Sequence, residues 1–147
     1  MIQTLAKYVA RYCEEYDISY DRDLQKEYVN PIKLPLRINE ILFSFDIGIK
    51  KIENITYIYI EIPVMEIPVE KMLLPLYRKL LEINYYLKTV FFSLRESTIY
   101  LSYYHPSENR MIYTTFKYNE FKNVMNNLYS ILNKYAEYLF SEFGEKE

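Results

Sequence analysis

The chain has 147 residues, with 18 Lys and Arg against 20 Asp and Glu for a formal net charge of −2 at pH 7, so it lacks the basic excess that binding to a phosphate backbone requires. Half of its residues are hydrophobic and 26% are charged, which excludes a disordered chain and points to a single domain over residues 1–147, burying roughly two thirds of its unfolded surface. Its two glycines, Gly48 and Gly144, lie far apart and exclude glycine-rich phosphate loops, and its single cysteine excludes an internal disulfide framework.

The first segment, MIQTLAKYVARYCEEYD, carries Lys7, Arg11, Glu14 and Glu15 among its apolar residues, which breaks up the apolar core that a secretory signal needs. Its Ile2, Leu5, Ala6, Val9, Tyr12, Cys13 and Tyr16 repeat with the helical period and predict an amphipathic helix. Asp17–Pro35 is polar, holds Asn30-Pro31 and Pro35, and reads as a long connection.

Two strands are expected next. Ile41, Phe43, Phe45, Ile47 and Ile49 alternate with Leu42, Ser44, Asp46 and Gly48, and Ile58, Ile60 and Ile62 alternate with Tyr57, Tyr59 and Glu61. The short link Lys50–Asn54 predicts a hairpin. The apolar-rich stretch Ile55–Val69 is interrupted by Glu61, Pro63, Glu66 and Pro68, so it does not form a membrane span; a soluble, cytoplasmic protein is expected.

Val69–Asn84 predicts a middle helix with Met72, Leu73, Leu76, Leu80 and Ile83 on its core face, although Pro75 opposes regular helix there. Leu87–Leu94 and Thr98–Tyr104 predict a second hairpin across Arg95–Ser97. A turn over His105–Asn109 and a short strand over Met111–Phe116 follow. From Tyr118 to Phe143, apolar residues step by three and four and predict a long terminal helix, with Gly144 placed for a left-handed cap. The expected fold is α+β, an antiparallel sheet with helices on one face, in the order α-β-β-α-β-β-β-α.

Few residues that usually carry chemistry are present. His105 has no local nucleophile to activate and reads as an exposed turn residue; Cys13 sits on an apolar helix stripe and reads as a buried, inert thiol. Asp17, Asp21, Asp23 and Glu27 cluster, but Arg22 and Lys26 interleave with them and the spacing is not that of a calcium loop. The expectation is a non-enzymatic protein with no catalytic residue, no metal site and no cofactor.

The remaining signal is aromatic, with 18 tyrosines and no tryptophan. Tyr57 and Tyr59 alternate with the inward isoleucines, and Tyr100 and Tyr104 alternate with Leu101 and Tyr103. If the isoleucines face the helices, these four tyrosines share the uncovered face of the sheet. Two readings stay open for that face: a contact surface for a protein partner or a second copy of the chain, or a cross-strand ladder that stabilises the sheet by about 0.2–1 kcal/mol per pair. The alternative function is a small nucleic-acid-binding accessory protein that stacks single-stranded RNA on this face, a weaker reading because Lys88, Arg95 and Arg110 are offset by Glu61, Glu96 and Glu108.

From the middle helix onward, LLPLYRKLLEINYYLKTVFFSL, then STIYLSYY, then YNEFKNVMNNLYSILNKYAEYL resemble the YbjN family. The matching features are the Asn84-Tyr85 step ending the helix, Phe91-Phe92 on the next strand and Glu120-Phe121 at the start of the last helix, within Leu36–Phe143. A tryptophan frequent in that family is absent, and Arg95-Glu96-Ser97 stand where its hairpin glycine is usual. The resemblance implies the type III secretion chaperone-like fold and a regulatory or chaperone-like module that binds proteins, often as a homodimer. It carries over no catalytic residues.

Overall fold

The computed structural model describes residues 2–20, 29–107 and 116–144. In chain order the described elements are α1 (Ile2–Glu15), β1 (Ile32–Ile38), β2 (Ile41–Ile52), β3 (Ile55–Glu66), α2 (Glu70–Tyr86), β4 (Val90–Arg95), β5 (Thr98–Ser107) and α3 (Tyr118–Phe143). The strands form one antiparallel sheet in the spatial order β1-β2-β3-β5-β4. The fold is therefore α+β as expected, with the element order corrected to α-β-β-β-α-β-β-α.

The correction comes from β1, where Pro31 and Pro35 give the sequence the character of a connection. Its alternation is complete, with Ile32, Leu34, Leu36 and Ile38 buried and Lys33, Pro35 and Arg37 exposed. Proline lacks an N–H, so it is tolerated in a strand whose free side is a sheet edge. β1 is such an edge. The expected strand at Met111–Phe116 lies outside the described residues except for Phe116, which sits just before α3 and belongs to no strand.

Register explains the core. Ile32 lies opposite Ile47, Ile47 opposite Ile60, Ile60 opposite Tyr103, and Tyr103 opposite Val90, so one buried row crosses the whole sheet. Leu5, Val9, Tyr12 and Cys13 of α1, Leu76, Leu80 and Ile83 of α2, and Phe121, Met125, Leu128 and Leu132 of α3 join the same cluster. Cys13 is buried there as expected.

Local turns are set by left-handed residues. Asn39-Glu40 and Glu53-Asn54 have positive φ at both positions, which two-residue hairpins with right-handed twist require. Asp17, at φ 53°, ends α1 by letting the Ile18 N–H donate back to Cys13 O at 2.8 Å. Gly144 is not left-handed: its φ is −66°, and it is needed because a Cβ there would meet Phe140 O at 2.5 Å. Pro75 lies inside α2, which runs through it without ending, and is exposed. Pro63 interrupts β3 at an irregularity where the register with β5 shifts before Met65.

Candidate functional site

The face of the sheet turned away from the helical core carries all four anticipated tyrosines. Tyr59 lies opposite Tyr104, Tyr57 opposite Pro106 and Tyr100 opposite Pro63, so period 2 and the observed register place them together. Tyr104 is the hub. Its ring packs edge-on to Tyr57 at 5.9 Å, stacks with Tyr59 at 6.2 Å and stacks with Phe91 of β4 at 5.7 Å. Tyr100 stands apart from that hub and carries the Arg95 guanidinium 4.2 Å above its ring.

At the centre is Glu61, which the sequence marks only as an outward strand residue and a counter-charge. Glu61 is only 5% exposed although it points to the face opposite the core. Lys50 donates to one carboxylate oxygen at 2.6 Å, Arg95 donates to the other at 2.6 Å, and the Tyr104 hydroxyl also donates to the oxygen held by Lys50. Burial pushes the Glu61 carboxyl upward, but the bonds from Lys50 and Tyr104 and the charges of Lys50 and Arg95 outweigh it, holding the group below its ordinary value. The same arrangement raises Tyr104, first through burial and then through the anion it bonds. Tyr59 is raised by burial and by Glu61. Opposite Glu61 on β2, Asp46 is shifted upward by burial, partly countered by Lys33 and Ser44.

Gly48 makes this geometry possible. Lys50 crosses the rings of Tyr59 and Tyr104, 4.5 and 4.7 Å from their centres, to reach Glu61. Tyr59 meanwhile leans over Gly48, where a Cβ would approach its ring and hydroxyl to 3.0 Å and Asn30 Oδ1 to 2.5 Å. Asn30 is itself fixed, donating to Ile49 O and accepting from the Ile49 N–H. Tyr59 consequently retains only 8% exposure and is footing for the face rather than its outer surface. Tyr57, Tyr100 and Tyr104 are half-buried, and Phe91 is exposed.

In chemical terms Glu61 is an ionised acceptor with no proton to give, and its charge offsets those of Lys50 and Arg95. The cluster is a rigid, nearly charge-balanced platform with aromatic rims. Signals for it are present in the sequence: Glu61 interrupts the aromatic and β-branched run Ile55–Ile62, and the neighbouring strand carries Lys50 two residues after Gly48.

The other residues singled out from sequence lie elsewhere. His105 is in β5 rather than a turn, half-buried, with Nδ1 3.2 Å from the Tyr103 hydroxyl and its ring 5.0 Å from Phe116. Of the acidic cluster, Asp21, Asp23 and Glu27 lie outside the described residues. Among the described residues no group of three His, Cys, Asp or Glu is arranged to hold a metal ion, and no helix is long and apolar enough to cross a membrane. Compared with known proteins, the chain matches no family model, and no curated protein matches it in sequence.

Proposed function

We propose that this chain is a non-enzymatic protein-binding module of chaperone-like, YbjN-like type, and that its partner docks on the tyrosine face. The observation that carries the reading is the gathering of Tyr57, Tyr104 and Phe91 around an immobilised Glu61 on a face with no described helix over it. Tyrosine and arginine are the side chains that most often dominate protein interfaces, and a surface already ordered loses little entropy on binding. Lys50 and Arg95 are engaged by Glu61, which favours a protein partner over the nucleic-acid alternative. The test is crosslinked affinity capture with wild-type protein and a Tyr57→Ser, Phe91→Ser double variant whose circular dichroism matches wild type. Loss of a stoichiometric protein partner from the variant supports the reading; undiminished capture, or enrichment of RNA instead, overturns it.

A separate surface favours self-association. On α2, Leu74, Leu81 and Tyr85 are 61, 70 and 82% exposed and recur at helical spacing opposite the core residues Leu76, Leu80 and Ile83. Beside them a hollow of about 340 Å³ is lined by Leu74, Pro75, Arg78, Glu82 and Tyr138. In the homodimer we infer, antiparallel α2 helices would set Arg78 against Glu82 of the second copy, which Lys79 of its own chain pairs at 3.7 Å, and Tyr85 over that hollow, the self-complementarity that a two-fold interface demands. This places a dimer face on α2 as a second proposal beside the tyrosine face. Sedimentation should show a dimer that Leu81→Glu converts to a monomer; a wild-type monomer contradicts it.

A further inference from the structure

At the edge of the sheet, α1, the turn after it, β1, β2 and α3 enclose a hollow of about 620 Å³. Three of the exposed large apolar side chains of the molecule, Tyr16, Leu42 and Tyr129, meet at this one place. That convergence marks a binding surface more than scattered exposure does, and the volume is that of a small-molecule pocket. We propose that it is a ligand site for a flat aromatic carboxylate.

The walls supply the aromatic part of that specificity. The rings of Tyr12 and Tyr16 lie 4.6 Å apart, and Ile18, Pro35, Leu36 and Leu42 complete an apolar lining that suits a planar, apolar body. Three of the polar groups in the wall are ordered before any ligand arrives. The Tyr12 hydroxyl donates to Asn126 Oδ1 at 2.9 Å, and Asn126 Nδ2 donates to the Tyr16 hydroxyl at 2.9 Å. This chain ties α1 to α3 and fixes both rings, so ordering the site on binding costs little.

The carboxylate part follows from charge. Among the described lining residues Arg37 is the one that is charged; it is exposed at the mouth, and one of its nitrogens donates to Glu40 O at 3.1 Å. A guanidinium presents five donors in a planar fork matched to a carboxylate, so this bond leaves it donors to offer. A small ligand fits better than an added peptide strand. Ile49 turns its N–H and C=O toward Asn30, which precedes β1, so alternate β2 residues face β1 and Lys33, Pro35 and Arg37 face the free edge. Pro35 has no N–H there, which interrupts the ladder a peptide would extend.

The test is isothermal titration calorimetry with 1-naphthoate and its neutral isostere 1-naphthamide, on wild type, Arg37→Gln and Leu42→Trp. Both substitutions fall on exposed side chains, so the fold is retained. Saturable naphthoate binding is expected, with naphthamide about tenfold weaker, because a charge-assisted bidentate pair is lost. Arg37→Gln should remove that preference, and Leu42→Trp should abolish binding of both. No saturable naphthoate heat in wild type, equal affinity for the amide, or unchanged binding in Leu42→Trp each overturns the proposal.

Discussion

Glu61 shows at the scale of one residue how this sheet tolerates a charge in a strand of isoleucines and tyrosines. Its folded-state proton affinity is lowered, so the unfolded chain binds that proton more readily and the ionised form stabilises the fold. The contribution is complete above the ordinary carboxylate value of 4.5 and is lost as pH falls through the folded value. Urea midpoints measured from about pH 6 down to about pH 3 should therefore fall, and Glu61→Gln should flatten that fall. Glu61→Gln should also cost about 1–3 kcal/mol at neutral pH, because Lys50 and Arg95 lose their anion. Asp46 carries the opposite sign: its affinity for the proton is raised by burial, so Asp46→Asn should leave neutral-pH stability unchanged or higher. Gly48→Ala should destabilise by about 1–3 kcal/mol, since the new methyl would displace Asn30 and Tyr59 together. Period 2 alone put the four tyrosines on one side. It could not show that Glu61 is buried beneath them, because that depends on Lys50 and Arg95 arriving from two other strands.

Two asparagines do for whole elements what backbone does elsewhere. Asn84, at the end of α2, donates to Phe92 O at 2.9 Å and accepts the Phe92 N–H at 2.7 Å, closing part of the edge strand β4 as a neighbouring strand would. Asn30 does the same for Ile49 just before β1 begins. Asn84→Ala should cost about 1–3 kcal/mol and speed hydrogen exchange at the Phe92 amide, while β3 and β5 amides keep their protection. Turn chemistry gives a second expectation at this scale. Glu40 sits at φ 67°, where a Cβ is penalised, so Glu40→Gly should raise the unfolding free energy by up to about 1 kcal/mol, read as a higher urea midpoint. Elements with strong periodicity are legible in the sequence, namely α1, β2, β3, α2, β4, β5 and α3, while the role of the Asn84-Tyr85 step is not. β1 was not legible, because Pro31 and Pro35 signal a connection unless the strand is known to lie at an edge, and edge position is a property of the assembled sheet.

At the scale of the molecule, three surfaces are distinct. The helices bury one face of the sheet, the tyrosines and Phe91 occupy the other, and α2 presents Leu74, Leu81 and Tyr85 outward. The α2 stripe is not legible in the sequence, because the opposite side of the same helix supplies a sufficient core pattern and a second apolar stripe stands out only with burial. Partner binding on the sheet and self-association on α2 are then compatible, since the two surfaces do not share residues. The most direct measurement places a photo-crosslinking phenylalanine analogue at position 57 in one protein and at position 81 in another, with both irradiated in the native host. The account predicts that position 57 captures a different protein while position 81 captures a second copy of this chain. Capture of RNA, of the chain itself or of nothing at position 57 would contradict it.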